Sequence, residues 1–197
     1  FFGREAEVDA LLHTLATTDQ GRRFTVVLGA SGSGKSSLVR AGVWARLASG
    51  QVPEFPGSEH WLITPVIPGE MGTPEDSLRA ALSNAIRGRE GWRELRGVIE
   101  SAGRTPLADL AERLLRPGEA RWLLILDQME ELFAADRKEA GAAFLDRLLE
   151  ATLAHMQAAP VDVLAWIGPA IGAGSYEVGK DVHDAFVDSD PKTVCAF

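Results

Sequence analysis

Three observations predict an α/β fold of three layers for this 197-residue chain, with helices on both faces of a mainly parallel sheet. Short β-rich apolar runs alternate along the chain with segments of helical periodicity. Trp122-Leu123-Leu124-Ile125-Leu126 is apolar at every position, the pattern of a strand covered on both faces. Gly29-Ala30-Ser31-Gly32-Ser33-Gly34-Lys35-Ser36 matches G-x-x-x-x-G-K-[ST] and stands between an apolar run and a helical one, as a phosphate-binding loop requires.

The elements follow in order. After Phe1-Phe2-Gly3-Arg4, apolar Ala6, Val8, Leu11, Leu12 and Leu15 form a helical stripe. Phe24 to Leu28 is the first strand, and the glycine-rich loop leads into a helix reaching about Ser49, with Gly50 as its stop. Pro53 and Pro56 make 51–60 a loop. Trp61 to Ile67 reads as a second strand; Pro65 either weakens that reading or puts the strand near a sheet edge. Helices are expected over about 75–87, 92–101 and 106–115, punctuated by Gly88, Gly91, Gly103 and Pro117-Gly118. The 122–126 strand comes next, then a helix over about 136–157 and a strand over 161–167. Residues 168–174 read as a loop, and Tyr176 to Val187 as a short helical segment.

Glycines let successive backbone N–H groups turn inward around phosphate oxygens, and the helix N-terminus adds partial positive charge. Gly29, Ala30, Ser31, Gly32, Ser33, Gly34, Lys35, Ser36 and Ser37 are therefore the candidate nucleotide-binding residues. Lys35 can reach the β- and γ-phosphates, and the Ser36 hydroxyl can ligate Mg²⁺. The second metal-holding group expected is Asp127. It directly follows the buried 122–126 strand, and a parallel sheet would bring it to the edge where the glycine-rich loop lies. Glu130 and Glu131 follow three and four residues later. One of them could act as general base toward water, although acids in a first helical turn are also favoured by the helix dipole alone.

Composition narrows the classes. Hydrophobic residues make up 46% and charged residues 24%, ordinary for a globular protein. A net charge of −8 argues against a general nucleic-acid-binding surface. Cys195 is the single cysteine, so no internal disulfide can form. No secretory leader or apolar run of membrane-spanning length is visible. These features set the expectation of a cytoplasmic protein with neither membrane nor nucleic acid as partner. The chain opens at Phe1 and stops at Phe197, so it is expected to be trimmed from something longer.

Three motifs occur in fixed order: Phe2-Gly3-Arg4-Glu5, then Gly29 through Ser36 continuing Ser37-Leu38-Val39-Arg40-Ala41-Gly42, then Asp127-Gln128-Met129-Glu130-Glu131-Leu132-Phe133. Together they resemble the STAND family of signal-transducing P-loop ATPases, in particular its bacterial "novel STAND" subgroup, over about residues 1–148. Met129 stands where the subgroup carries an aromatic residue. The resemblance implies a P-loop NTPase sandwich, here incomplete, that binds ATP or GTP with Mg²⁺. ATP is the expected nucleotide, with slow hydrolysis and a switch role in a larger chain. It assigns Lys35 and Ser36 to phosphate and Mg²⁺ and Asp127 to Mg²⁺. Lys35, Glu130 and Glu131 become the catalytic set, and Arg4 falls near the nucleotide base. Protein partners, or other domains of a longer chain, are implied as well.

Near residue 150 the composition changes. Sixteen arginines precede it and none follows. In the STAND pattern a polar or arginine-bearing sensor ends the next strand, yet nothing cationic follows Val163-Leu164-Ala165-Trp166-Ile167-Gly168. Segments Leu149-Glu150-Ala151-Thr152, Leu164 to Gly172 and Tyr176 to Val182 resemble the laccase-domain family, described as polyphenol oxidoreductases or purine nucleoside phosphorylases. Its Cys/His catalytic segments are absent, and His155, His183 and Cys195 are isolated from one another. The expected organisation is a STAND-like domain over 1–148 joined to a laccase-domain-like fragment of another α/β family over 149–197. The leading function is nucleotide binding with weak hydrolysis. The alternatives are a nucleotide-gated interaction module that scarcely hydrolyses, or a phosphorylase-like protein. If strand 161–167 did not join the sheet beside the P-loop strand, its apolar residues would invite self-association.

Overall fold

A computed structural model describes residues 3–17, 23–29, 32–119, 121–134, 136–153, 161–167 and 194–196. The amino-terminal helix α1 spans Glu5–Thr17, and strand β1 spans Phe24–Leu28. Helix α2 runs over 35–48. It begins regularly at Lys35–Ser37, widens into a π-helix over Leu38–Trp44, and closes at Ala45–Ala48. Strand β2 is Leu62–Val66. Three helices follow: α3 at Pro74–Ala85, α4 at Trp92–Glu100 and α5 at Leu107–Leu114. Then come β3 at Trp122–Leu126, a 3₁₀ turn at Met129–Phe133, α6 at Lys138–Leu153, β4 at Val161–Ile167 and β5 at Val194–Ala196.

Local chemistry sets several of these boundaries. The Thr73 hydroxyl accepts from the Asp76 N–H at 3.1 Å, and Pro74 occupies the first turn of α3, where its missing N–H costs nothing. Residues 51–60 are irregular apart from a 3₁₀ turn at Ser58–His60. The expected short helix over 176–187, the loop over 168–174, and His155 and His183 lie outside the described residues. Strand β5 has no counterpart in the sequence reading.

Among the described residues all four strand pairings are parallel, in the order β2-β3-β4-β1-β5. Pro65 lies on β2 at one edge, where a residue without an N–H removes the least from the ladder. Strand β4 is not an appendage. It pairs with β3 through Trp122↔Val161 and with β1 through Phe24↔Val163, so it fills the middle of the sheet.

The faces follow from the two-residue period of a strand. Trp122, Leu124 and Leu126 turn toward a core shared with α3, α4, α5 and α6, while Leu123 and Ile125 turn toward α1 and α2. Val161, Val163 and Ala165 divide from Leu164 in the same way. Full burial of a Leu or Ile side chain contributes about 1.5–3 kcal/mol, and both layers hold many of them. Among the described residues, no helix is long and apolar enough to cross a membrane.

Candidate functional site

Strands β1 and β3 run parallel, so their C-terminal ends share one edge of the sheet, with the end of β4 between them. The glycine-rich loop leaves β1 at Gly29. Asp127 leaves β3, and its N–H is anchored to the Val66 carbonyl of β2 at 2.9 Å. Residue 168, just past β4, is outside the described residues, as are Ala30 and Ser31 of the loop.

The described part of the loop is shaped by glycine. Gly32 and Gly34 have φ of +77° and +80°, a left-handed region that side-chain-bearing residues rarely adopt. Gly34 also starts α2, its carbonyl accepting from the Leu38 N–H at 2.8 Å. Lys35 is only 7% exposed, and its ammonium Nζ donates to the Gly29 carbonyl at 2.7 Å, across the mouth of the loop. The buried Ser33 Oγ has no hydrogen-bond partner among the described residues. A buried hydroxyl without a partner is costly, so a polar ligand at the loop would satisfy it.

Ser36, on the first turn of α2, donates its hydroxyl to Asp127 Oδ1 at 3.2 Å, although 91 residues separate the two. The second carboxylate oxygen, Oδ2, accepts from Arg40 Nη2 at 3.0 Å. Asp127 is 4% exposed, so its charge needs such partners. Two hard oxygens 3.2 Å apart nearly match an adjacent-ligand edge of an octahedron with metal–oxygen bonds of 2.0–2.1 Å, about 3 Å. The donor set therefore fits Mg²⁺. Among the described residues there is no group of three or more His, Cys, Asp or Glu suited to a metal ion.

Past Asp127 the backbone turns sharply. Gln128 has φ 58° and ψ 49°, the only left-handed non-glycine residue among those described. Such a conformation costs about 1–3 kcal/mol and persists where its surroundings enforce it. It lets the strand break at once into the 3₁₀ turn that carries Glu130 and Glu131. Arg137 holds Glu131, Nη1 to Oε2 at 3.0 Å, and this pair lies against Gly69 after β2. Glu130 has an interaction of its own. Arg4, at the head of α1, donates Nη1 to the Ser33 carbonyl at 2.7 Å and is held by Glu7 through Nε at 2.6 Å and Nη2 at 2.8 Å. The guanidinium keeps the Glu7 carboxyl below the usual glutamate range.

The structure thus brings Gly29, Gly32, Ser33, Gly34, Lys35, Ser36, Arg4 and Asp127 to one edge of the sheet. Glu130 and Glu131 sit on the turn just beyond. Ser37 continues the first turn of α2. Arg40, Glu7 and Arg137 were not singled out from the sequence. Arg40 left one signal, its spacing of four residues from Ser36, which puts both on one helix face.

The family model described as Novel STAND NTPase 1 matches residues 1–167. Among curated proteins, a purine nucleoside phosphorylase of Xylella fastidiosa is 42% identical over 72 residues, which cover 34% of this chain and 28% of that protein. One from Haemophilus influenzae is 48% identical over 52 residues, covering 26% and 21%. One from Pseudomonas aeruginosa is 30% identical over 130 residues, covering 60% and 53%. The chain therefore spans between a fifth and about half of the length of these relatives. Among solved structures, the Aeropyrum pernix ORC2 protein in its ADPNP-ADP complexes gives a TM-score of 0.56 at 13% identity, covering 100% of this chain and 48% of that one. Drosophila ORC bound to DNA gives 0.55 at 15% identity, covering 98% and 42%. At such identities the likeness is one of fold.

Proposed function

We propose that this chain, which belongs to the Novel STAND NTPase 1 family, binds a Mg²⁺–nucleoside triphosphate, ATP in preference to GTP, and hydrolyses it slowly as the switch module of a larger signalling protein. The observation that carries this reading is the convergence of Ser36 and Asp127, 3.2 Å apart across the sheet edge, beside a buried Lys35 at the mouth of the glycine-rich loop.

In this reading the loop amides and the start of α2 surround the phosphate chain. Lys35 turns its ammonium from the Gly29 carbonyl to the β- and γ-phosphates. The metal, when bound, would supply positive charge that offsets charge developing on the transferred phosphate. Ser36 and Asp127 would hold it, with Arg40 giving up its place on the carboxylate. Water attacks the γ-phosphorus, its proton passes to a carboxylate of the 129–133 turn, and the bond to the β-phosphate oxygen breaks to release the diphosphate. That carboxylate is Glu130 or Glu131, the latter held by Arg137. In this reading the nucleotide module takes in 1–148 together with strand 161–167, which pairs on both sides and lies within the span that the family model matches.

One observation favours a second reading, a nucleotide-gated interaction module with little hydrolysis. Arg40 and Arg137 are both held by carboxylates, and no arginine occurs after residue 150. Arginines near the γ-phosphate contribute factors of about 10³–10⁵ in rate in P-loop enzymes.

Binding of a fluorescent ATP analogue with and without Mg²⁺ tests the site. A hydrogen bond to a charged group contributes about 1.5–3 kcal/mol, so Lys35→Ala should weaken binding about 10- to 150-fold. Asp127→Asn should abolish the Mg²⁺ dependence. Unchanged affinity in Lys35→Ala would overturn the assignment. Single-turnover hydrolysis with Glu130→Gln and Glu131→Gln separates the two readings, because only an enzyme is slowed by loss of its base.

A further inference from the structure

We propose that Arg4 acts on the nucleotide site as a positioning residue: clamped by Glu7, it holds the Ser33 carbonyl so that the Gly34 N–H faces the phosphate chain. The inference rests on the phosphate-site reading above and names a device within it.

The guanidinium is a planar fork with five donors. Two of its nitrogens are taken by Glu7 in a bidentate pair, Nε to Oε2 at 2.6 Å and Nη2 to Oε1 at 2.8 Å. Such a pair fixes the plane as well as the position of the group. The third nitrogen, Nη1, is thereby aimed at one acceptor, the Ser33 carbonyl at 2.7 Å. In a trans peptide the carbonyl and the following N–H point in opposite directions. Holding Ser33 O toward the head of α1 therefore directs the Gly34 N–H away from it. Left alone, this peptide would rotate readily, because Gly34 on one side of it brings no side-chain restraint.

Both ends of the clamp are anchored. Arg4 and Glu7 lie at the head of α1, whose Val8, Leu11, Leu12 and Leu15 pack against Leu38, Val39, Val43 and Leu47 of α2. The fit is close: a Cβ on Gly34 would come within 3.0 Å of Arg4 Nη1, so glycine serves both the φ of +80° and the approach of the guanidinium. The buried, unpartnered Ser33 hydroxyl belongs to the same residue whose carbonyl is held.

A positioning role differs from direct contact with a base. Affinity for ATP and for inorganic tripolyphosphate, measured by calorimetry on the whole chain, should fall by the same factor in Arg4→Ala, about tenfold, near the lower end for a charge-assisted hydrogen bond. Glu7→Gln keeps the guanidinium but weakens its clamp, and should lose about threefold for both ligands. Arg4→Lys, a compact ammonium on a flexible stem, should recover part of the loss. In a ¹⁵N-glycine-labelled sample, tripolyphosphate should shift the Gly34 amide resonance in the wild type and much less in Arg4→Ala, while the Gly141 amide stays put in both. Loss of ATP affinity with tripolyphosphate affinity intact would assign Arg4 to the base and overturn the proposal, as would an unchanged Gly34 response in Arg4→Ala. Lys35→Ala is measured alongside. If it binds both ligands like the wild type, the phosphate-site reading itself fails, whereas its loss combined with an indifferent Arg4→Ala sinks only the clamp.

Discussion

Two glycines in helix interiors should respond to alanine with opposite signs. Alanine is favoured over glycine within a helix by about 0.8–1.0 kcal/mol, so propensity alone predicts that both substitutions stabilise. Gly97, in α4, is exposed and has nothing within 4 Å of where a Cβ would stand. Gly97→Ala should therefore gain close to the full propensity difference. Gly141, in α6, is buried, and a Cβ there would lie 1.9 Å from the Leu132 carbonyl oxygen and 2.7 Å from its carbon. The clash is with backbone, so no side chain can swing aside. The helix and the 129–133 turn must separate by about 1.5 Å to restore ordinary contact. Overpacking typically costs about 1–3 kcal/mol, and a backbone clash belongs at the upper end. After the propensity gain, Gly141→Ala should lose about 2 kcal/mol. For a chain of this size that is a fall in Tm of about 4–8 °C, against a rise of about 2–4 °C for Gly97→Ala. Thermal unfolding followed by circular dichroism at matched protein concentration reads both. An unchanged or raised Tm in Gly141→Ala would refute the claim that α6 and the turn bearing Glu130 and Glu131 are locked by a glycine-only contact.

Other tests reach different parts of the molecule. Trp122 Nε1 donates to Thr64 Oγ1 at 3.0 Å with both side chains fully buried. Thr64→Val should therefore cost about 1–3 kcal/mol by orphaning the indole N–H, seen as a lower urea midpoint at constant m-value. The Thr73 hydroxyl and then Arg79 hold the Asp76 carboxyl below its ordinary value. A carboxyl lowered in the folded state adds stability that is complete above the unfolded pKa, about 3.9, and is lost as pH falls through the folded one. The stability gap between wild type and Asp76→Asn should accordingly be largest at neutral pH and close below about pH 4 in urea titrations. A gap that widens in acid would contradict the Thr73–Asp76 cap.

The fold was legible where period and glycine punctuation agree. The all-apolar 122–126 run carries the signature of a strand covered on both faces, and its partition between two cores follows from alternation. The loop Gly29–Ser36 and Asp127 were legible because local spacing fixes which backbone element each one ends. Edge placement of β2 was one of two readings that Pro65, with no N–H to donate, allowed. Less was visible where contacts cross the chain. The Arg40–Asp127 ion pair spans 87 residues, and the Arg4 bond to the Ser33 carbonyl spans 29. A charged side chain in a sequence carries no mark of which distant oxygen it will meet. Strand β5 is three residues long and too short for periodicity to register.

Strand order belongs to the second class, and it matters most for the site. Residue types determined that strands would alternate with helices and that a phosphate loop would follow one strand and an acid another. Only the packed sheet decided that β4, from the segment unlike the rest in composition, would lie between them. It also decided that α2 would cross back to set Ser36 against Asp127. The physical reason is range. Propensity, capping and amphipathic period act within a few residues, whereas the choice of neighbouring strand is made by apolar faces and backbone hydrogen bonds that become satisfied only when the whole sheet has closed.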